Sequence, residues 1–193
     1  IILILYQNPL YSKSTSFDNL NYKNLSKYFS GIIAFENKDN SEALEFFNSS
    51  KILINKHDPY LKRYIYSLVL ENKVSQAINI IKTNKDKNNT NFFDANLLLV
   101  LDSLKKNDYE NVKTYFDRSA SFIKSDRFHL AIIESLKQYI YVFSENKILN
   151  DKKKFGKLSN ISETFQRCYL GDQATDEYFL NLINDNEADY TRY

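Results

Sequence analysis

The chain of 193 residues carries 26 Lys plus Arg against 24 Asp plus Glu, a formal charge of +2, and this balance argues against a general polyanion binder, which shows a basic excess. A hydrophobic fraction of 43% suits a folded chain rather than one disordered throughout, and 3 Gly with 2 Pro are too few for the turns of a β-sandwich or barrel. Helices are favoured before any pattern is read. The single cysteine, Cys168, has no intramolecular partner and lies far from the position of a lipoprotein acylation site, so neither a disulfide framework nor a lipid anchor is expected.

At the start, Ile1-Ile2-Leu3-Ile4-Leu5-Tyr6 and the polar stretch from Gln7 to Ser16 read as the remainder of a secretory signal peptide without its charged leader. The alternative is a core strand or a first helical turn. Export across a bacterial inner membrane to the periplasm is the expectation, with a cytoplasmic location otherwise. The Asn, Lys and Ile bias suggests an AT-rich coding genome. No apolar stretch approaches the roughly 20 residues of a membrane span. The chain begins at Ile1 rather than Met and closes on a stretch that resembles the start of another helix, so it is expected to be part of a longer protein. Residues 1–20 are set apart as an N-terminal tail.

Residues 21–124 contain three similar segments. Gly31 to Phe47, Ile65 to Ile81 and Val100 to Phe116 align so that Ala43, Ala77 and Val112 are equivalent, at separations of 34 and 35 residues. Asn37-Lys38-Asp39-Asn40, Glu71-Asn72-Lys73-Val74 and Lys106-Asn107-Asp108-Tyr109 form the matching turns. Each half-segment has helical spacing. Leu25, Tyr28, Phe29 and Ile32 precede the first turn, with Ala43, Leu44 and Phe47 after it. In the second segment Leu61, Tyr64, Ile65 and Leu68 are followed by Val74, Ala77, Ile78 and Ile81. Asp58-Pro59 marks the start of that pair. The third shows Phe93, Leu97, Val100, Leu101 and Leu104, then Tyr109, Val112 and Phe116.

Residues 125–193 continue the pattern with lower fidelity. Phe128, Ala131, Ile132, Ser135, Leu136 and Tyr139 predict a helix from about Asp126 to Ser144. A connection over 145–158, with Lys147, Lys152, Lys153, Lys154, Lys157 and Gly156, reads as mobile or facing solvent, with acidic residues of the last segment as a second option for those lysines. Ile161, Phe165, Cys168 and Tyr169 predict another helix, Gly171-Asp172-Gln173 a turn, and Tyr178, Phe179, Leu182 and Ile183 a last helix. On this stripe Cys168 is expected to be buried packing.

These residues resemble the tetratricopeptide repeat (TPR) family. Ser41-Glu42-Ala43-Leu44-Glu45-Phe46-Phe47 is similar to its second helix, Asn107-Asp108-Tyr109 to its inter-helix turn, and Gly31 to the glycine at which its paired helices approach closely. The likeness spans about residues 22 to 124. It departs at Ile65 and Val100, which replace that glycine, and in the missing tryptophan and the missing proline after the second helix. The fold implied is an all-α, right-handed α-solenoid of antiparallel helical hairpins. Such hairpins stack because none covers its own apolar face alone.

The resemblance also implies a use: a protein or peptide held in the concave groove lined by first helices. The corresponding places are Leu25, Tyr28, Ile32 and Phe35, then Lys62, Tyr66 and Val69, then Leu97, Leu101 and Leu104. For any of them the competing reading is simple burial by a neighbouring helix. The cluster of Lys, Asn and Arg with which some relatives grip a terminal carboxylate is not reproduced, since Tyr28, Leu97 and Leu98 stand in its place.

No catalytic, metal-binding or cofactor-binding constellation is read. His57 and His129 lack spaced partners, and no phosphate loop, dinucleotide fingerprint or nucleophile elbow occurs. Nucleic acid is not an expected partner, because no basic stripe follows the repeats. The expectation is a non-catalytic scaffold for protein-protein or peptide binding. The alternatives are an accessory or regulatory part of a larger enzyme and, further off, an RNA-associated repeat protein.

Overall fold

The amphipathic spacings become helices. A computed structural model describes residues 21–84, 90–123, 127–156 and 158–184, and among these residues there is no strand. The α-helices are α1 (Tyr22–Glu36), α2 (Asn40–Ser49), α3 (Asp58–Leu70), α4 (Val74–Thr83), α5 (Phe93–Lys105), α6 (Tyr109–Ser121), α7 (Arg127–Glu145), α8 (Leu158–Leu170) and α9 (Thr175–Asn184), with a 3-10 turn at Lys51–Asn55. The signal-peptide reading of residues 1–20 and the acidic end from 185 onward lie outside the described residues, as does Lys157. The chain divides into two compact units, Ile1–Thr90 and Asn91–Tyr193, at a boundary the periodicity does not mark.

Four helical pairs are closed by one turn chemistry. Lys38, Asn72, Asn107 and Gly171 take left-handed φ of 64°, 58°, 56° and 66°. In each case the next residue's N–H reaches back to a carbonyl five positions earlier: Asp39 to Ala34, Lys73 to Leu68, Asp108 to Ser103 and Asp172 to Arg167. The left-handed residue's own N–H returns to the carbonyl three before it, completing the Schellman pattern that satisfies the last carbonyls of a helix. The residue that follows then caps the next helix. Asp39 accepts from the Glu42 N–H at 3.0 Å and Asp108 from the Asn111 N–H at 3.2 Å, whereas Lys73 makes no side-chain cap. Asn146 has the same left-handed φ of 52° at the end of α7, yet an irregular stretch follows instead of a second helix. Asp58, expected as a cap, is instead the first residue of α3, with His57 in the cap position and Pro59 in the first turn.

Unit 1 has an apolar, aromatic core. Tyr28, Phe47, Tyr60, Leu61, Tyr64, Ile65 and Leu68 are buried together with Ala43 and Ala77. Burying each large side chain contributes on the order of 1.5 to 3 kcal/mol. The phenols are satisfied inside it: Tyr60 donates to the Phe47 carbonyl, Tyr64 to Asn48 Oδ1 at 2.7 Å, and Tyr28 accepts from Arg63 at 2.9 Å. Gly31 sets the approach of α1 to α2, since a Cβ there would stand 2.8 Å from the Phe47 ring.

In unit 2, Val100, Val112 and Leu136 form a buried cluster with Leu97, Leu104, Tyr115, Phe116 and Ile140 packed around it. The contact of α7 with α8 is more polar. Gln138, Ser162, Thr164 and Gln166 are all buried, and Gln166 Nε2 reaches Gln138 Oε1 at 3.4 Å and Ser162 Oγ at 3.0 Å. Cys168 corrects the sequence reading, being exposed rather than packed. Ser162 and Gln166, one turn apart, are buried on one face of α8 and Thr164 on another, while Phe165, Cys168 and Tyr169 are exposed.

The lysine-rich connection faces solvent at Lys147, Lys153 and Lys154, and it is also tied to α7 and α8. The Lys153 N–H donates to Glu134 Oε1 at 3.0 Å, its carbonyl accepts from Gln138 Nε2 at 3.2 Å, and Lys152 Nζ lies 2.7 Å from Glu163 Oε2. The Phe155 N–H donates to Ser159 Oγ at 2.6 Å.

Candidate functional site

Helical hairpins present their first helices side by side, so a shared face is where a site is sought. In unit 2 that face opens into a groove of about 460 Å³, lined by Leu97 and Leu101 of α5, by Phe128, Ala131, Ile132, Ser135, Leu136 and Tyr139 of α7, by Phe155 of the connection, and by Leu158, Ile161 and Ser162 of α8. The volume is in the range of ligand sites. Of the contributing helices, α5 and α8 are the first helices of hairpins, and α7 lies between those hairpins in the sequence. Along α7 the lining residues follow i, i+3, i+4 and i+7 spacing from Phe128, so one stripe faces the opening. The Ser135, Tyr139 and Ser162 side chains bring hydroxyls into a surface otherwise made of carbon, and Tyr139 Oη approaches the Ser162 carbonyl at 3.5 Å. Phe128 remains 69% exposed and Leu101 49%.

The connection and α8 hold the groove's wall in place. Arg167 joins Glu163 at 2.8 Å to Asp172 at 2.5 Å and lies over the Tyr178 ring at 4.2 Å, tying α8 to α9. Burial opposes ionisation of Glu163, but hydrogen bonds from Lys152 and Arg167 outweigh it and hold the carboxyl below its usual range. The Ala174 N–H, and after it Arg167, do the same for Asp172.

The ten groove places expected from the sequence separate into distinct environments, with Leu25 half-buried on α1. Leu97 and Leu101 line the unit 2 groove. Leu104 packs against the Val100, Val112 and Leu136 cluster instead. In unit 1, Tyr28 is 2% exposed, a core residue held by Arg63 and not an open groove contact. Ile32, Phe35, Tyr66 and Val69 are half-buried and Lys62 is exposed, its ammonium 5.5 Å from the centre of the Tyr66 ring. The same local competition was open for every position, and burial by α2 and α3 decided it at Tyr28. Phe128, Ile132, Phe155, Leu158 and Ile161 were not assigned to the groove from sequence. The α7 stripe was the available signal, and it marked a helix without marking which side stays open.

Both histidines stack on aromatic rings. His57 lies edge-on to Tyr28 at 4.8 Å, and burial, reinforced by Arg63, lowers its pKa. His129 lies 4.4 Å from Phe93. Burial pushes the Tyr60 phenol far above the ordinary tyrosine range, with the neighbouring Tyr64 adding to the shift. No group of His, Cys, Asp and Glu suited to a metal occurs among the described residues, and none of their helices is long and apolar enough to cross a membrane.

Comparison with protein-family models gives no match, and comparison with curated proteins and with solved structures likewise gives none.

Proposed function

We propose that the chain is a non-catalytic scaffold whose hairpins are successive elements of a right-handed, TPR-like solenoid, and that it binds a protein or peptide segment on the face formed by first helices. The observation that carries this reading is the unit 2 groove, where α5, α7 and α8 jointly line an open apolar surface. Apolar side chains of a bound segment would leave water there, while Ser135, Tyr139 and Ser162 offer hydroxyls to its backbone or polar groups. The repeated Schellman turns and the fully buried Ala43, Ala77 and Val112 support the repeat part of the reading.

The test is selection of binders from a random peptide library against the whole chain, followed by titration against Leu101→Glu. Peptides seated in the groove are expected to lose about tenfold or more in affinity, about 1.4 kcal/mol, on that exposed substitution. The helical circular-dichroism signal and melting temperature should not change. Binders indifferent to Leu101→Glu would place recognition elsewhere and overturn the reading.

A further inference from the structure

The groove is not electrically neutral at its edges. Phe155 lines it, and Lys153 and Lys154, which precede Phe155, are exposed. On α7, Arg127 is exposed and lies one turn before Ala131, on the side of the helix from which Glu134 reaches the Lys153 N–H. These observations bring three cationic side chains to the side of the groove formed by the connection and the start of α7. Glu134, the carboxylate on α7 that faces the connection, is half-buried and already accepts from the Lys153 N–H and from Gln138 Nε2 at 3.1 Å. Asp151 of the connection is exposed and immediately precedes Lys152 and Lys153. Glu163 on α8 is occupied by Lys152 and Arg167. Neither Arg127, Lys153 nor Lys154 forms an ion pair with a carboxylate among the described residues.

Resting on the groove reading above, we infer that the occupant is an amphipathic protein segment with acidic residues beside its apolar anchors, its acids lying against Arg127, Lys153 and Lys154. The apolar lining supplies contact area without charge preference, and the cations at its edge supply the discrimination. Such rim charges act mainly on the choice and rate of association, and salt weakens them because they are exposed. A basic segment with the same apolar residues would meet like charge on that side. Nucleic acid fits the same cations poorly, because three cations on one side of an apolar groove make no continuous basic track.

The experiment uses two synthetic amphipathic peptides with identical leucine positions, one carrying glutamates and the other lysines at the flanking places, titrated by fluorescence anisotropy against the full chain. The expected result is a preference of about tenfold for the acidic peptide at about 50 mM salt, shrinking at about 500 mM. The double variant Arg127→Glu, Lys154→Glu should reverse the order, and Leu101→Glu should weaken both peptides with unchanged helicity. Equal binding of the two peptides, still weakened by Leu101→Glu, would overturn the charge inference and leave the groove reading standing. Binding that Leu101→Glu does not touch would overturn both. Sedimentation of the peptide-free chain provides the other arm. A dimer abolished by Leu101→Glu would assign the groove to a second copy and overturn the acidic-partner inference.

Discussion

Unit 1 and unit 2 use the same turns around interiors of different chemistry. In unit 1 the core is aromatic: Tyr28, Phe47, Tyr60 and Tyr64 are within 2% of complete burial, while Phe29, Ile33 and Ile52 stay exposed. In unit 2 the contact of α7 with α8 encloses Gln138, Gln166, Ser162 and Thr164, while Phe128, Leu158, Phe165 and Tyr169 stay exposed. The hydrophobic effect favours the first arrangement for stability alone. The second is tolerable because the amides partner one another, although Gln166 Oε1 and Ser119 Oγ have no hydrogen-bond partner. The lesson is that hairpins closed by one turn geometry can enclose interiors of different polarity.

The sharpest way to break this comparison is to put a charge into the apolar seam of unit 1. Ile81 is 2% exposed, and Ile81→Asp is expected to cost about 4 kcal/mol or more, because the carboxylate must lose its water or the seam must open. Thermal denaturation followed by circular dichroism should show the helical array losing its cooperative transition. A variant with wild-type melting would remove the stacked-hairpin account.

A smaller effect probes the approach of α1 to α2. Gly31→Val would press its side chain into the Phe47 and Phe46 contacts, where even a Cβ comes within 2.8 Å, and should cost about 1 to 3 kcal/mol in urea titration. Unchanged stability would mean that the two helices separate freely. The same logic does not extend to Ile65 and Val100, buried residues at the equivalent places.

The smallest expected change is in unit 2. Replacing both buried amides, Gln138→Leu with Gln166→Leu, removes the orphaned Gln166 Oε1 and the contact between the amides but also the Gln138 bond to the Lys153 carbonyl. With these effects opposed, stability should stay within about 1 kcal/mol of the parent. A loss above about 2 kcal/mol would show that the amides carry unit 2, and the contrast between the units would then lie in chemistry rather than in degree.

Much of the helical frame was legible along the chain. The 34- and 35-residue spacing of Ala43, Ala77 and Val112 is matched by 0% exposure at all three, because a position facing the partner helix of a hairpin meets the same neighbour in every repeat. The predicted helix from about Asp126 to Ser144 appears as α7, and the Gly171 turn appears where its left-handed conformation is needed. The groove was legible only at Leu97 and Leu101. Cys168 shows why: a stripe of Ile161, Phe165, Cys168 and Tyr169 specifies an amphipathic helix without specifying which of its sides is covered, and on α8 Ser162 and Gln166 are buried while Phe165, Cys168 and Tyr169 are exposed.

What the amino-acid order determined by itself is local: where helices start, where a left-handed residue lets the chain reverse, and which period the hairpins keep. These follow from backbone sterics and from the 3.6-residue turn, which act within a few residues. Only the tertiary structure decided that Tyr28 is enclosed, that the lysine-rich connection is strapped by Glu134 and Glu163, and that α5, α7 and α8 leave an apolar groove open. Burial is a property of what lies opposite a side chain, and in unit 2 the partners are distant in sequence.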